Sequence, residues 1–492
     1  MQPFNLRPLA AISLTLATAT LLASCGQLPQ RAEMQGVAGW SAVTFGNSAE
    51  QKPVTLAYGD RDRLTKLVSA GMDVWSVDVK RRLVQGTLTA EQAKLAESLG
   101  MKVEWRNKQS IRTRVDKEYR TYEQIAARLK ELAAKQPEIA QLVDIGDSWE
   151  KTQGRADRDI LALKLGRGTG KPVVTFVGCH HAREIVTPEM VLKAAEHLVE
   201  GYGQDAEVTA AIDNREIWIV PMVNPDGHKH ALEGHSWRKN TNNVTGGKRK
   251  PGVDLNRNYD IAWGTVGDSG NPDADTFRGA TAFSEPETRA VRDMLTNKPP
   301  VVYLTFHSYA NSVMWPWDHK REAPEDKRLM AVGQALGKLS GYDAYQGAKM
   351  YLNSGDDVDW AHAKLGSLTY TVEIGSWNDG FMPSASKLPK FWDENRPMMM
   401  YALKIAENPD AVFGPEVKVE RAAGGVKVNA PSSAASVEVF RGRPGRPGTG
   451  ESLAVRGPQT FVPTSAGPRE LLYVRAQGKN GQWGPTEAVW SK

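Results

Sequence analysis

Between residues 115 and 408 the chain alternates continuous apolar runs with segments of helical periodicity, and this alternation limits the possible folds more than any other feature. Apolar runs of this length are typical of strands buried on both faces of a largely parallel sheet, and the helical segments between them supply the crossover connections. The sequence therefore predicts α/β architecture, in which functional groups gather at the carboxyl ends of strands. The predicted strands are Ile160 to Leu165, Val173 to Val177, Ile217 to Val223, Val301 to Phe306 and Thr369 to Ile374.

Two segments of different character flank this region. Residues 53–106 combine three strand-like runs with two helical segments, the second opened by the capping box Thr89-Ala-Glu-Gln92, and predict a small α+β domain. A basic, aperiodic linker follows at 107–114 and is an expected site of proteolysis. Residues 411–492 show alternating segments separated by Gly and Pro turns, which favour a C-terminal β-sandwich.

The N-terminal residues have the pattern of an export signal. Residues 1–24 carry Arg7 and then an apolar stretch that is too short for a convincing membrane span. The signal ends in Leu22-Ala-Ser-Cys25-Gly, which resembles the bacterial lipobox, although an ordinary cleaved signal with an incidental cysteine is the alternative. We expect an exported protein, extracellular or a cell-envelope lipoprotein held to the membrane only by acyl chains on Cys25, with residues 25–52 as a tether.

Charge and cysteine content exclude other classes of protein. Lys and Arg number 62 against 57 Asp and Glu, a net charge of +5 that is spread along the chain, so nucleic acid is not an expected partner. There are only 2 cysteines, so no disulfide framework is expected. Cys179 lies at the end of an apolar run, and a role as a small buried hydrophobe is favoured over a role as a nucleophile.

Chemically active side chains follow several of the predicted strands. His181 and Glu184 stand three residues apart after the second apolar run, and His307 ends the fourth. Two histidines and a carboxylate can form the open tripod of catalytic zinc. Glu373 is embedded in the fifth apolar run, where a carboxylate is costly unless it is paired or used. Taken singly, each has a structural alternative: a solvated turn, a satisfied core histidine or a buried salt bridge.

Taken together, these residues resemble the active site of the zinc carboxypeptidases of the pancreatic carboxypeptidase A type. The resemblance extends over roughly residues 115–408 and includes Phe283-Ser-Glu-Pro-Glu-Thr288 and Ser354-Gly-Asp-Asp-Val-Asp-Trp360. It implies a mixed β-sheet flanked by helices and a peptide hydrolase that acts on C-termini. The matching residues, in the same order as in the family, are His181, Glu184, Arg238, Asn256, Arg257, His307, Tyr351 and Glu373.

The resemblance implies a catalytic role for part of this set. One Zn²⁺ per chain would be held by His181, Glu184 and His307. Glu373 would take a proton from the attacking water and hand it to the leaving amine, and Arg238 would stabilise the oxyanion. His180, Cys179 and Glu189 do not match functional positions of the family and are expected to be structural. A further residue, Asp254, would fix the tautomer of His181.

Substrate binding is also implied by the resemblance. Arg257 would read the free C-terminal carboxylate through its guanidinium fork, helped by Asn256 and Tyr351. Arg183 would line the site for the residue further from the cut. Val358 falls at the position that separates apolar from basic preference in the digestive enzymes and favours an apolar C-terminal residue, while Asp356 could also accept Lys or Arg. The expected preference is therefore broad or apolar.

The resemblance also implies a form of regulation, and two alternative functions remain open. The domain at 53–106 occupies the place of an inhibitory propeptide in this family, so an activating protease is a possible partner. One alternative function is a murein-peptide carboxypeptidase of the same superfamily, against which intact Asn256, Arg257 and Tyr351 argue. Another is a non-catalytic surface binding protein, which would need neither Glu373 nor an open metal position.

Overall fold

The protein is described by a computed structural model that covers residues 50–106, 115–443, 446–457, 461–464, 467 and 469–491. The predicted signal at 1–24, Cys25, nearly all of the tether and the linker at 107–114 lie outside the described residues. Within the covered ranges, no helix has both the length and the apolar character needed to cross a bilayer.

The N-terminal domain is a four-stranded antiparallel sheet with two helices. Its elements are β1 (Lys52–Ala57), α1 (Arg61–Ser69), β2 (Asp73–Asp78), β3 (Leu83–Leu88), α2 (Ala90–Ser98) and β4 (Lys102–Trp105). The strand order is β2-β3-β1-β4, and the α+β prediction is confirmed. The sequence did not reveal β3, because Gln85-Gly86-Thr87 interrupts its apolar pattern. Gly86 is needed there, since a Cβ atom would lie 2.2 Å from the Asp73 carbonyl oxygen of β2.

The central domain is built on an eight-stranded mixed sheet with helices packed against it. Its strands are β5 (Ala140–Asp147), β6 (Asp159–Leu165), β7 (Val173–Gly178), β8 (Glu216–Val220), β9 (Val302–His307), β10 (Ser312–Trp315), β11 (Asp343–Gln346) and β12 (Leu368–Glu373). Its helices are α3 (Tyr122–Lys135), α4 (Trp149–Thr152), α5 (Val186–Gly201), α6 (Ala206–Asn214), α7 (Pro225–Leu232), α8 (Pro286–Asn297), α9 (Lys327–Ser340), α10 (Asp357–Leu365) and α11 (Leu388–Ile405).

The order of the strands brings the chemically active segments together. The order is β11-β10-β12-β9-β7-β8-β6-β5, and the neighbours β12, β9, β7 and β8 run parallel. The five predicted strands are all present, and their apolar side chains form the buried core between the sheet and the helices. Because parallel strands end at the same edge of a sheet, the residues that follow β7, β9 and β12 meet at that edge.

The C-terminal region contains two antiparallel sheets. Its strands are β13 (Lys418–Ala422), β14 (Gly425–Asn429), β15 (Ala434–Arg443), β16 (Arg446–Arg456), β17 (Phe461–Pro463), β18 (Leu471–Gly478) and β19 (Glu487–Trp490). They form a sheet of order β13-β14-β17 and a second of order β16-β15-β18-β19. Valines and leucines from both sheets share one core, including Val428, Val439 and Val474. The predicted β architecture of this segment is confirmed.

Candidate active site

Three potential metal ligands meet at the carboxyl edge of the central sheet. His181 and Glu184 lie in the turn between β7 and α5, and His307 is the last residue of β9. Cys179 starts this turn with a positive φ of 62°, and its backbone N–H donates to Thr187 Oγ1 at 3.0 Å. A second hydrogen bond, from the Glu184 N–H to the His181 carbonyl, closes the turn. The turn thereby directs an imidazole and a carboxylate to the same side as His307.

The donor atoms of these three residues form a compact, buried cluster. His181 Nδ1 lies 2.8 Å from Glu184 Oε1, and His307 Nδ1 lies 3.1 Å from both His181 Nδ1 and Glu184 Oε2. All three residues are at most 4% exposed. Zinc bonds of about 2.0–2.1 Å in tetrahedral geometry place ligand atoms about 3.4 Å apart. Two imidazole nitrogens and a carboxylate at these separations fit Zn²⁺.

The outer atoms of the ligands are held by neighbours. His181 Nε2 lies 3.1 Å from Asp254 Oδ1, and His307 Nε2 lies 3.3 Å from Thr305 Oγ1. Such contacts fix which ring nitrogen faces the metal. Burial would raise the pKa of Asp254, but the charges of Arg238 and His181 hold that pKa well below its ordinary value. Asp254 therefore stays a carboxylate and orients His181.

Glu373 lies beside this cluster without belonging to it. It is the last residue of β12, and its backbone pairs with that of His307 on β9. Burial, followed by repulsion from Glu184, raises the pKa of Glu373 to about 8. Among the described residues, the three-residue cluster that could hold an ion at this edge does not include Glu373. A carboxyl group with a pKa near neutrality is suited to take and return a proton.

A buried arginine adds positive charge to the same pocket. Arg238 donates from Nε to Asp254 Oδ2 at 2.9 Å, and its Nη2 lies 2.8 Å from the same oxygen. These two contacts leave Nη1 for a ligand. Arg238, Glu373 and the three metal ligands all line one pocket. The arrangement places a fixed guanidinium where it can stabilise a developing negative charge.

Asn256, Arg257 and Tyr351 line the same pocket. Asp254 caps the short 3₁₀ turn that carries Asn256 and Arg257, by accepting from the Asn256 N–H at 3.0 Å. Arg257 donates from Nε to the Gly267 carbonyl at 3.2 Å and from Nη1 to the Asn256 carbonyl at 2.6 Å. A second arginine is thereby fixed at the pocket, next to an amide and a phenol.

Three of the predicted substrate contacts, Val358, Asp356 and Arg183, are not among the residues that line this pocket. Val358 is 1% exposed and packs into the core beneath α10. Asp356 caps α10, accepting from the Asp359 N–H at 2.8 Å. Arg183 is 1% exposed and is bound to Asp73 of the N-terminal domain, with its Nη1 and Nη2 atoms 2.8 and 2.6 Å from the two carboxylate oxygens.

Sequence reasoning missed several residues of the pocket, among them three from the N-terminal domain and one acid. Val74, Trp75 and Ser76 of β2 line it from the N-terminal domain, and Asp318 lines it from the segment after β10. The β2 contacts depend on the docking of one domain on another, which no local pattern in the sequence reveals. Asp318 could have been predicted from the sequence, because it is a charged residue shortly after the apolar run Ser312–Trp315.

The other polar residues in the turn between β7 and α5, and Glu189 at the start of α5, have structural partners. His180 Nε2 lies 3.0 Å from the Tyr259 hydroxyl, and burial lowers the pKa of His180 to about 4. Glu189 accepts from the backbone N–H of Arg120 at 2.7 Å and from its guanidinium. Cys179 is buried, and burial raises the pKa of its thiol. These contacts agree with the structural roles expected for the three residues.

Known proteins resemble this chain over its central domain. The sequence profile of the family described as zinc carboxypeptidase matches residues 125–398. Carboxypeptidase B of Astacus astacus is 33% identical over 282 residues, which cover 54% of this chain and 89% of that protein. Carboxypeptidase A2 of Mus musculus is 31% identical over 254 residues, covering 50% of this chain and 59% of that protein.

Solved structures show the same fold. Carboxypeptidase A from Helicoverpa armigera superposes with a TM-score of 0.61 at 25% identity and covers 73% of this chain and 97% of its own. The family profile covers more than half of the sequence, and the His181, Glu184 and His307 cluster supplies its metal ligands. The chain belongs to the zinc carboxypeptidase family.

Proposed function

We propose that the protein is a zinc-dependent metallocarboxypeptidase that hydrolyses the C-terminal peptide bond of peptides or proteins. One observation carries this proposal: a single pocket is lined by the three metal ligands, by Glu373 and by two buried arginines. A zinc hydrolase needs the metal ligands and a general base such as Glu373. An exopeptidase additionally needs a cation that binds the terminal carboxylate of its substrate.

Substrate binding follows from the fixed polar groups. The C-terminal carboxylate of the substrate would pair with Arg257, whose guanidinium offers two parallel donors. Asn256 and the Tyr351 hydroxyl would supply further hydrogen bonds. Arg257 is held by backbone carbonyls, which bind part of the guanidinium without neutralising it. This arrangement would select a free C-terminus and fix the scissile bond beside Glu373.

Proton transfer and charge stabilisation follow in the same pocket. When bound, zinc supplies a Lewis acid that polarises a carbonyl and lowers the pKa of water. Glu373 would accept the proton of the attacking water and then donate it to the leaving amine, as its pKa of about 8 allows. Arg238 would stabilise the oxyanion through the part of its guanidinium that Asp254 does not bind.

A pair of peptides tests the proposed activity. The two peptides share one sequence and differ only in the terminal group, a free carboxylate in one and an amide in the other. We expect release of the last residue from the free peptide alone, loss of that activity with a chelator and its return with Zn²⁺. Equal cleavage of the amidated peptide would contradict an exopeptidase.

We propose further that residues 53–106 restrain this activity until a protease cuts the chain. Two contacts support the proposal. The Asp73 carboxylate pairs with both terminal nitrogens of Arg183, and the next three residues of β2 line the pocket. The sequence of the linker at 107–114 supplies Lys108, Arg112 and Arg114 as cleavage sites. Limited trypsin should raise activity and leave a fragment that starts near residue 115; equal activity before and after would remove the idea.

Export and lipid anchoring at Cys25 remain part of the proposal, on the evidence of the apolar segment and lipobox-like motif alone. Labelling with a radioactive fatty acid in a bacterial host tests the anchor. We expect label on the wild-type protein and none on Cys25→Ser. Unlabelled wild-type protein released in soluble form would favour an ordinary cleaved signal.

A further inference from the structure

Asp318 brings a carboxylate to the pocket that holds the metal ligands. It lies three residues beyond the end of β10 and is 8% exposed. Its Oδ1 atom has no hydrogen-bond partner among the described residues, and its Oδ2 atom has only a long contact of 3.4 Å with Asn353 Nδ2. A buried carboxylate with an unmet oxygen is costly unless a ligand pairs with it.

The surroundings of Asp318 are acidic. Its backbone N–H lies 3.0 Å from both carboxylate oxygens of Asp359, which also contacts His319 Nδ1 at 2.5 Å. Asp356 and Asp357 at the start of α10 each have one oxygen without a partner in the described chain. Burial, and then repulsion from Asp359, raises the pKa of Asp318 well above its ordinary value. The neighbouring acids therefore increase the gain from a cation at this position.

Gly347 leaves room for the Asp318 carboxylate. A Cβ atom at residue 347 would lie 1.8 Å from Asp318 Oδ1, so any side chain there would displace the carboxylate. Gly347 itself lines the pocket, together with Met314 and Thr371. The pocket thus combines a carboxylate with a short apolar wall, which suits a side chain with an aliphatic stem and a charged tip.

We infer that Asp318 determines which C-terminal residue the pocket takes, and that this residue is lysine or arginine. The inference rests on the proposed function, in which Arg257 binds the C-terminal carboxylate of the substrate. Asp318 would then bind the side chain of the last residue. A cationic tip would pair with the Asp318 carboxylate. An apolar tip would leave the carboxylate buried and unpaired, and a glutamate would add a further negative charge.

This inference replaces the expectation that was based on Val358. That side chain is buried and is not part of the pocket lining, whereas Asp318, in the segment after β10, lines the pocket directly. Asp356, the other acid considered from the sequence, caps α10. The specificity-determining acid therefore lies outside the loop on which the sequence-based prediction depended.

A panel of peptides tests the inference. The zinc-loaded chain, after limited trypsin and removal of the trypsin, is given peptides that differ only in a last residue of Lys, Arg, Leu, Phe or Glu. We expect kcat/KM for Lys and Arg to exceed that for Leu by at least about tenfold. In Asp318→Asn the values for Lys and Arg should fall about 100-fold and the value for Leu should change little. Asp205→Asn, at the N-cap of α6 and outside the pocket lining, is the matched control and should keep the wild-type preference.

A binding measurement separates this inference from the proposed function. Calorimetry on zinc-loaded, trypsin-treated Glu373→Gln should show tighter binding of the Lys peptide than of the Leu peptide, and the difference should disappear when Asp318→Asn is added. Equal affinities, or a preference for Leu or Phe that Asp318→Asn leaves unchanged, would overturn the inference even if every peptide is hydrolysed. Selective binding of Lys by a folded wild-type protein that cleaves no peptide would instead overturn the proposed function alone.

Discussion

The two small domains of this protein attach to the central domain in different ways. The N-terminal domain contacts the pocket itself. Its Asp73 forms the buried pair with Arg183, and Trp75 donates from its indole N–H to the same carboxylate at 2.8 Å. Tyr351, a proposed substrate-binding residue, packs against the apolar core of this domain. A change at this interface therefore reaches groups that would bind substrate.

The C-terminal β sheets contact the scaffold instead. Asn214 at the end of α6 donates to the Tyr473 hydroxyl at 2.9 Å. Lys404 on α11 lies 2.7 Å from a carboxylate oxygen of Glu487, and the Trp490 indole donates to the Gln204 carbonyl at 3.1 Å. None of these six residues lines the pocket. This interface can stabilise the central domain without contacting the residues of the pocket.

The difference predicts that docking of the two domains has separable effects on activity and on stability. Both interfaces contain ion pairs and hydrogen bonds, so the type of contact does not distinguish them. What differs is which residues of the central domain are engaged. Variants at the N-terminal interface should change activity, and variants at the C-terminal interface should change the free energy of unfolding.

Glu373→Gln should have the largest effect on kcat. It tests the catalytic activity that the N-terminal domain would restrain. The amide keeps the shape of the side chain but cannot accept the proton, so we expect kcat to fall by about 10²–10⁴-fold in both the intact and the trypsin-treated chain. Zinc content, measured by atomic absorption, should stay at one ion per chain. Glu438→Gln in the C-terminal sheets is the matched control and should keep full activity. A tenth or more of the wild-type rate in Glu373→Gln would show that another group is the base.

Asp73→Asn should have an intermediate effect and tests the N-terminal interface. Removing the charge leaves Arg183 buried without a counterion, which typically costs about 3–5 kcal/mol. That penalty falls on the docked state, so the intact chain should hydrolyse a peptide at least about tenfold faster than wild type before any proteolysis. Initial rates without trypsin provide the measurement. Asp78→Asn, on the same strand but outside the pocket, should leave the rate unchanged; equal rates for Asp73→Asn and wild type would mean that the pair does not restrain the enzyme.

Much of the central domain and its metal centre could be predicted from the sequence. The apolar runs correctly predicted five strands of the sheet. The polar residues at their ends meet because parallel strands end at one edge; these residues are His181, His307 and Glu373. These features are local in sequence or follow from a general rule of sheet topology. A strand such as β3, whose pattern is broken by Gly86, has no comparable signal.

The remaining residues of the pocket lining and the domain interfaces could not be predicted in the same way. Val358 was expected to face the substrate because of its position in a family pattern, but its side chain points into the core at 1% exposure. Arg183 was expected to bind substrate, and its partner Asp73 lies 110 residues earlier in the chain. Both outcomes depend on three-dimensional packing between distant segments, which residue type and spacing do not encode.

Tyr473→Phe should have the smallest effect and tests the C-terminal interface. The variant loses one hydrogen bond to Asn214, whose Nδ2 still donates to the Ala210 carbonyl at 2.9 Å, so we expect a loss of about 1 kcal/mol in the free energy of unfolding. Chemical denaturation measures this change, and kcat/KM should equal that of wild type. Tyr351→Phe makes the same chemical change at the pocket. It should raise KM and leave the free energy of unfolding unchanged. If Tyr473→Phe also raised KM, the C-terminal sheets would be coupled to the pocket, and the separation between the two interfaces would fail.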